Sequence, residues 1–538
     1  MSNSADSSMS AVATKRRSSE LRMGTAASMS TARRGRPATV LVVVLLSVFV
    51  INLDSSIVNV ALPSLSRELS ASTSSLQWFV DAYNLSLAAL VLAAGTTGDR
   101  YGRRGTLAAG LALFAASSVA AALCTSSGQL IAARFVMGAG AALIFPTTLS
   151  IITTTFTDRS QRSAAIGAWA AVTGVGVAVG PVVGGALLAH FWWGIVFISL
   201  VPIALIALAG TIWFIPGSRA PDVPSLDWLG LLLSVATLGV LVHSVIEAPN
   251  RGWLDRDTVG GFLLAMLLGI LFVAVEQRSD NPMVELSLFA NPRFSAASGA
   301  VTIAFFALFG FSFLVSQYFQ QLRGYTPLGT GVRVLPIAGA IAVFSVLGAK
   351  LAVLVGNKLV VTFGLVLMAA AFCWISFVTA TTGYGVVAME MVLLGGGLGF
   401  TSAPATEAIM GVVRPEQAGA GSAVNDATRE LGGTLGVAVL GSIFSSLYAG
   451  ALSSSKLPDL PEPLRKTAQS SLTAGLNLVG NPPGSVSAAS VARLRAQLEA
   501  GFLSGLHAGC WVATGLCLLG ASAVLLLLPS RPNVEHAR

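Results

Sequence analysis

Charge is scarce in this 538-residue chain: Asp, Glu, Lys and Arg together make up 10% of it, where a soluble domain carries roughly a quarter. That argues against a soluble fold of any class. Cysteine and histidine are also sparse, four of each. Cys124, Cys373, Cys510 and Cys517 lie in or beside apolar runs. They show neither C-x-x-C spacing nor a disulfide framework, so they read as small core residues. His190, His243, His507 and His536 are scattered, which argues against a zinc site. No G-x-x-x-x-G-K-[ST] sequence occurs, so ATP is not the energy source of whatever the chain does. The excess of bases over acids leaves a net charge of +8, which in a soluble chain would suggest nucleic acid. Here arginines between apolar runs account for it. No nucleic-acid partner, metal or other cofactor is expected.

Hydrophobic residues fill the space that charge leaves: 54% of the chain, at a mean hydropathy of +0.77. A membrane span needs ~20 apolar residues, and a backbone in lipid must satisfy its own hydrogen bonds. Long apolar runs without strict alternation therefore predict helices. They fall near 39–62, 77–98, 106–125, 130–152, 163–188, 193–215, 228–247, 259–276, 295–319, 331–355, 359–380, 384–411, 419–448 and 501–528, about fourteen spans. The 56 glycines allow such helices to approach closely. Alternate connections carry Arg100/Arg103/Arg104, Arg159/Arg162, Arg219, Arg278/Arg293, Lys350/Lys358 and Arg414. The opposite set holds fewer bases: Arg67, Arg251, Arg256 and Arg323. Bases collect on the cytoplasmic side, which puts both termini in the cytoplasm, as an even span count requires.

The chain opens with a Ser-, Ala- and Arg-rich stretch, 1–37, read as a disordered cytoplasmic tail. No cleavable signal is indicated, because the first apolar run is of full transmembrane length. Near the other end, Leu464, Ala468, Leu472 and Leu476 recur at four-residue spacing, followed by Val491, Leu494 and Leu498. They suggest amphipathic helices within an extracytoplasmic segment, 449–500, resting on the protein or on the membrane surface. A solvated loop is the alternative.

The densest charge in the first two hundred residues is Gly95-Thr-Thr-Gly-Asp-Arg-Tyr-Gly-Arg-Arg-Gly-Thr-Leu107. Gly95, Gly98, Gly102 and Gly105 permit a tight turn, and Arg100, Arg103 and Arg104 mark a cytoplasmic connection beside Asp99. An ordinary positive-inside loop is the plain reading. The spacing, however, resembles the G-x-x-x-D-R-x-G-R-R signature between the second and third helices of the major facilitator superfamily. Ala349–Lys358 is a faint echo of it, with Val353 and Leu354 where Asp and Arg stood. Two related halves around a midplane cavity are a common transporter plan.

Two intramembrane charges stand out. Asp54 lies in Ile51-Asn-Leu-Asp-Ser-Ser-Ile-Val-Asn-Val-Ala-Leu-Pro63. A buried acid is tolerated if it faces a cavity, pairs with a base or holds a proton. Burial disfavours its charge and a neighbouring cation favours it, so Asp54 can switch protonation; a structural ion pair is the alternative. Arg134 lies in Leu130-Ile-Ala-Ala-Arg-Phe-Val-Met-Gly-Ala-Gly-Ala-Ala142. It does not lose its proton but can tune a carboxyl or bond a helix; a snorkelling arginine is the alternative. The first stretch resembles the first-helix motif D-x-x-I-V-N-V-A-L-P of the fourteen-helix drug:proton antiporters, which implies coupling by Asp54. The second resembles the superfamily's R-x-x-x-G-x-G pattern, which implies a part for Arg134 in proton transfer.

Gly176-Val-Ala-Val-Gly180-Pro181-Val-Val-Gly184-Gly185 places glycines at i, i+4 and i+8 on one flat face, with a proline kink. On physics it is a packing device. It also resembles the antiporter motif G-x-x-x-G-P-x-x-G-G, which implies export. Gln317–Leu328, Arg333–Pro336 and Gly419–Gly433 fit the same branch, so the resemblance runs from about 45 to 447. The chain departs from its relatives at Gly194, where an arginine is usual, and at Glu390, Glu407, Asp426 and Glu430, where apolar or amide residues are usual. Acids lining a cavity attract cationic substrates. Tyr83, Tyr318, Glu390, Glu407 and Asp426 are thus candidate cavity residues, with Arg429 a local partner for Asp426 and Glu430. Trp78 and Phe79 are stacking candidates, Trp78 equally an interfacial anchor.

The expected fold is all-α and membrane-embedded: an N-terminal six-helix bundle (38–216), two inserted transmembrane helices with linkers (217–293), a C-terminal six-helix bundle (294–528) and a cytoplasmic tail (529–538). The expected function is proton-coupled export of lipophilic or cationic compounds across the cell membrane by a monomer, with no catalytic chemistry. An exporter dedicated to one metabolite, antibiotic or lipid is the alternative, and proton-coupled import a more distant one.

Overall fold

Among the described residues of the computed structural model, fourteen helices are long and apolar enough to cross a membrane, and the chain is a multi-pass membrane protein. The structure describes residues 37–218, 227–279, 282–413, 418–453, 455–483 and 486–528. The two tails, and with them Arg219 and Arg414, lie outside the described residues.

The helices begin where short polar side chains can take the first free amides. Ser72, Ser126, Asp158, Asp227, Asp255, Asn291, Thr326, Ser471 and Ser487 each accept from an amide of the first turn, as N-caps do. Six helices open the chain: α1 (Pro37–Glu68), α2 (Thr73–Tyr101), α3 (Arg103–Ala122), α4 (Ser127–Thr155), α5 (Arg159–Leu188) and α6 (Ile195–Phe214). A helix pair follows, α7 (Trp228–Arg251) and α8 (Arg256–Glu276). Then come α9 (Pro292–Gln317), α10 (Pro327–Val355), α11 (Asn357–Ile375), α12 (Tyr384–Met410) and α13 (Ala418–Ala451). Two short helices, α14 (Glu462–Ser470) and α15 (Leu472–Gly480), precede the last and longest, α16 (Ala488–Leu527).

Within the first half α1 lies on α5 and α6, α2 on α4, and α3 on α4 and α6. In the second half α9 lies on α13, α10 and α11 on α12, and α16 on α11 and α13. The halves meet along α2 and α13, between α5 and the start of α10, and more lightly between α1 and α9. Helix α7 leans on both α2 and α13. All hydrogen bonds found between α1–α6 and α9–α16 among the described residues lie at one end of the bundle. There Thr73 donates to the Ser470 carbonyl, Gln77 to the carbonyls of Val437 and Ala438 and to Ser442 Oγ, and Gln320 to the Val60 carbonyl. That end, which carries the 68–73, 188–195 and 322–327 connections, is the closed end.

Two expectations are corrected here. The Gly95–Leu107 stretch is not a loop: α2 runs on to Tyr101 and α3 starts at Arg103, so Gly102 alone forms the turn, at φ 112°. A side chain there would be strained. Gly356 makes the same junction between α10 and α11 at φ 89°, so the faint sequence echo has the same backbone form. The last span, expected from 501, instead starts at Ala488. The amphipathic pattern before it rests on the protein. Ala468, Leu472, Leu494 and Leu498 are buried, and the Tyr448 hydroxyl donates to the Ala468 carbonyl at 2.9 Å.

Candidate coupling site

Asp54 lies near the middle of the 32-residue α1, fully buried. A buried carboxylate needs a partner, and the helix next in space but one supplies it: Arg134 Nη1 donates to Asp54 Oδ2 at 2.6 Å. The guanidinium is tied down twice more. Its Nε donates to the Phe79 carbonyl at 2.8 Å, and its carbon lies 4.4 Å from the centre of the Tyr83 ring. Tyr83 in turn donates to the Ile51 carbonyl at 3.3 Å, closing a ring of contacts through α1, α2 and α4. The other carboxylate oxygen, Oδ1, is buried and has no partner among the described residues.

The glycines of the neighbouring motif explain how α4 comes close enough. A Cβ at Gly138 would lie 2.3 Å from the Tyr83 carbonyl oxygen, and one at Gly140 would lie 3.0 Å from Gly110 O and from the Phe114 amide nitrogen. One glycine seats α4 on α2 and the other seats it on α3, so the R-x-x-x-G-x-G spacing aims Arg134 inward. The α5 glycines act likewise on α1. Added Cβ atoms at Gly176, Gly180 and Gly184 would lie within 2.9, 1.9 and 2.6 Å of Asn52, Ser56 and Ile57. These residues flank Asp54. Gly185 faces the other half, with an added Cβ 2.5 Å from Pro327 O, and Pro181 O lies 2.1 Å from the one that Gly331 would carry. Helix α5 therefore touches both the acid's helix and the closed end's seam.

At the opposite end Asp99 accepts from Arg103 Nε at 2.7 Å, Arg103 N donates to the Ser218 carbonyl, and Arg104 donates to the Ile212 carbonyl. Gly98 sits against Thr147 of α4, and Gly95 against Pro146. These contacts stay within the first half and its linker. Arg100 stacks only on its neighbour Tyr101, and Gly105 opens onto free space. Among the described residues no hydrogen bond or ion pair joins this segment to the second half.

The candidate cavity residues separate. Tyr83 belongs to the Asp54–Arg134 cluster, and Tyr318 is buried with its hydroxyl given to the Thr379 carbonyl at 2.8 Å. Neither lines an open cavity in this conformation. Glu390 is 1% exposed on α12, and among the described residues neither of its oxygens has a partner. Glu407 is exposed at the end of α12, and Asp426 and Glu430 are half-buried on α13. Arg429 forms no ion pair with either: it donates to Ser402 and Thr406 of α12 and stacks over Phe305. Near the closed end, Arg323 donates to the Tyr325 hydroxyl and holds it below the usual tyrosine range. Trp78 packs with α7 rather than in a cavity, and Phe79 is fully buried, its carbonyl held by Arg134.

Sequence reading missed one acid. Asp81 is fully buried, and among the described residues neither of its oxygens has a partner. Gln77, Asp81 and Leu85 recur at four-residue spacing, and the outer two pack against α13, so Asp81 faces the seam between the halves. The signal, an acid inside an apolar run, was the same one that marked Asp54.

Comparison with known proteins agrees with this architecture. A family model described as Major Facilitator Superfamily matches residues 44–437. The chain is 33% identical over 421 residues to the multidrug resistance protein Stp of Mycobacterium tuberculosis (strain CDC 1551 / Oshkosh), 78% of each chain being covered. It is 33% identical over 505 residues to the multidrug efflux pump LfrA of Mycolicibacterium smegmatis, covering 92% of this chain and 99% of that one. The crystal structure of a bacterial homolog to the human lysosomal transporter Spinster, inward-facing and unoccupied, superposes at a TM-score of 0.63 with 17% identity, covering 92% of this chain and 99% of that one. Two packed halves, one closed end and a family match over most of the chain lead to one conclusion: the protein belongs to the major facilitator superfamily of membrane transporters.

Proposed function

We propose that this transporter is a proton-driven exporter of lipophilic or cationic compounds in the cell membrane, working as a monomer by alternating access with both termini in the cytoplasm. The observation that carries the reading is the buried Asp54–Arg134 pair at mid-helix, with one carboxylate oxygen left free. On this reading the closed end faces outward, the 38–216 and 294–528 bundles are the rocking halves, and 217–293 is an insertion. The fold's inward-open form is then the state in hand.

A proton that reaches Asp54 Oδ1 neutralises the carboxylate and removes most of its attraction to Arg134, which stays charged. The guanidinium then leans on the Phe79 carbonyl and the Tyr83 and Phe197 rings. Helix α1 is freed to slide on the flat face of Gly176, Gly180 and Gly184, and α5 passes the shift to the seam through Pro181 and Gly185. Gly95, Asp99, Arg100, Gly102, Arg103 and Arg104 form the cytoplasmic gate, which closes on the second half when the outer seam opens. Glu407, Asp426 and Glu430, on the inward-open side, draw cationic substrates. The multidrug names of Stp and LfrA support drug export.

The test is ethidium efflux from loaded cells with and without a proton-gradient uncoupler, on wild type and Asp54→Asn. Wild type is expected to clear dye only while the gradient stands, and the variant to leak it at the uncoupled rate. Gradient-driven efflux by Asp54→Asn at the wild-type rate would remove Asp54 from coupling, and absence of ethidium efflux by wild type would favour a dedicated exporter.

A further inference from the structure

We propose that Asp81 is a proton lock on the seam between the halves. The α2–α13 contact closes only when this carboxyl takes up one proton from the water that the opened seam admits, and it reopens with loss of that proton. Asp81 is 0% exposed, and among the described residues neither of its oxygens has a partner. No other residue of α2 from 73 to 98 is Asp, Glu, Lys, Arg or His. Tyr83, whose ring meets Arg134, lies two residues on and so points to the opposite side of the helix. The donors of Arg134 go there, to Asp54 and the Phe79 carbonyl.

Across the seam there is no base either. Gln77 and Leu85, one turn before Asp81 and one after, pack on α13, and residues 431–447 of that helix hold no Asp, Glu, Lys, Arg or His. The next titratable groups are Glu430, further along α13 toward the open end, and Tyr448, whose hydroxyl is given to the Ala468 carbonyl. On α7, His243 and Glu247 line the groove shared with α8. None of these donates to Asp81. A carboxylate with neither donor nor water is too costly to bury, so the closed seam holds the neutral acid.

Gln77 forms the clasp that keeps water out. Its Nε2 donates to the carbonyls of Val437 and Ala438 at 3.3 and 3.0 Å and to Ser442 Oγ at 3.3 Å. Ser442 in turn donates to the Val245 carbonyl of α7 at 2.7 Å. Gly441 makes the room, since an added Cβ there would lie 2.5 Å from Gln77 Nε2. The clasp sits four residues nearer the closed end than Asp81, about 6 Å along the helix. Water that parts it meets Asp81 next. Protonation here frees no base, as it would at Asp54; what changes is whether the carboxylate has water. The side from which the proton comes rests on the orientation proposed above, with the closed end outward. On that orientation an external proton lets the emptied transporter reclose, and it returns outside at the next opening, adding nothing to the protons moved per cycle.

Spin labels at Ser70→Cys and Gly450→Cys, exposed positions at the closed end of the two halves, report the seam by pulsed electron paramagnetic resonance. The sample is the full-length transporter in nanodiscs, with Cys124→Ser and Cys373→Ser. Asp54→Asn is the background, so that the coupling pair does not contribute. There the open-to-closed ratio is expected to rise with pH by up to about tenfold per unit, the limit for one proton. Adding Asp81→Asn should hold the low-pH ratio at every pH. Gln77→Ala loosens the clasp and should move the same one-proton transition to lower pH, which keeps the test alive where Asp81→Asn fails to fold. A ratio independent of pH in Asp54→Asn, an undiminished pH response after Asp81→Asn, or a Gln77→Ala seam that opens without any response to pH would each overturn the lock. In sealed right-side-out vesicles, a response to external pH fits the proposed orientation. A response to internal pH keeps the lock and removes that orientation.

Discussion

The two halves of the transporter treat a buried acid in opposite ways. In the first, Asp54 is met by Arg134 at 2.6 Å, and the base is itself held by a carbonyl and an aromatic face. In the second, Glu390 is also hidden from solvent, at 1% exposure, and among the described residues has no partner on either oxygen. The base that lies nearest to the second half's other acids, Arg429, spends its donors on hydroxyls of α12. Symmetry of fold therefore does not extend to symmetry of charge. A carboxylate with a partner has something to release when it is protonated, and one without a partner does not. The proposed function places the coupling step in the first half on this ground, and the contrast can be broken experimentally.

The largest effects belong to the pair. Arg134→Ala leaves Asp54 buried and uncompensated, a change that costs about 3–5 kcal/mol. Thermal unfolding in detergent should show it, and Asp54→Asn/Arg134→Ala should lose less than the sum of the two single variants because the stranded charge is gone. An additive double variant would mean that the two side chains do not stabilise one another.

The next effect is steric. A Cβ added at Gly138 would lie 2.3 Å from the Tyr83 carbonyl oxygen, a backbone atom that cannot rotate away. Gly138→Ala should destabilise by about 1–3 kcal/mol through overpacking and lower efflux by moving Arg134 off Asp54. Gly167→Ala, whose added Cβ meets nothing within 4 Å, is the matched control on α5. Equal melting temperatures for the two would show that the α2–α4 approach is looser than drawn.

A third comparison sets junction against junction. Gly102 and Gly356 both hold positive φ between helices of equivalent halves, so alanine at either should cost about 1–3 kcal/mol in backbone strain. Only the first is ringed by Asp99, Arg103 and the Ser218 carbonyl. Gly102→Ala should therefore also slow efflux, whereas Gly356→Ala should lower stability with transport per folded molecule preserved.

The spans were legible because membrane helices announce themselves by length: fourteen apolar runs are fourteen helices, with errors at their ends. Those errors have a physical source. Polar caps such as Ser72 and Ser126 extend helices past the apolar run, and α16 begins with thirteen residues, 488–500, that pack on the protein through one face carrying Ser490, Leu494 and Leu498. Asp54 and Arg134 were legible as charges out of place, but not their pairing, because eighty residues separate them and only the packing of α1, α2 and α4 on one another brings them together. The same packing hid the fate of Tyr83, whose ring serves as a platform for Arg134 rather than for a substrate. Asp81 carried the same signal as Asp54 and was overlooked beside the aromatics that flank it. Arg429 shows the opposite failure: proximity along a helix suggested a partner for Asp426, and the neighbouring helix offered better-placed acceptors.

The smallest expected effect is the sharpest test of the contrast between the halves. Glu390→Gln keeps the side chain's shape and removes its ionisable group. Because neither oxygen bonds to anything among the described residues, the substitution strands no partner, and its effect on stability should stay within about 1 kcal/mol. Measured beside Asp54→Asn in proteoliposomes carrying an imposed proton gradient, Glu390→Gln should keep gradient-driven dye movement and Asp54→Asn should lose it. If Glu390→Gln instead halves the protons moved per dye molecule while Asp54→Asn still transports, the unpaired acid carries the coupling, and the ion pair in the first half is a structural joint.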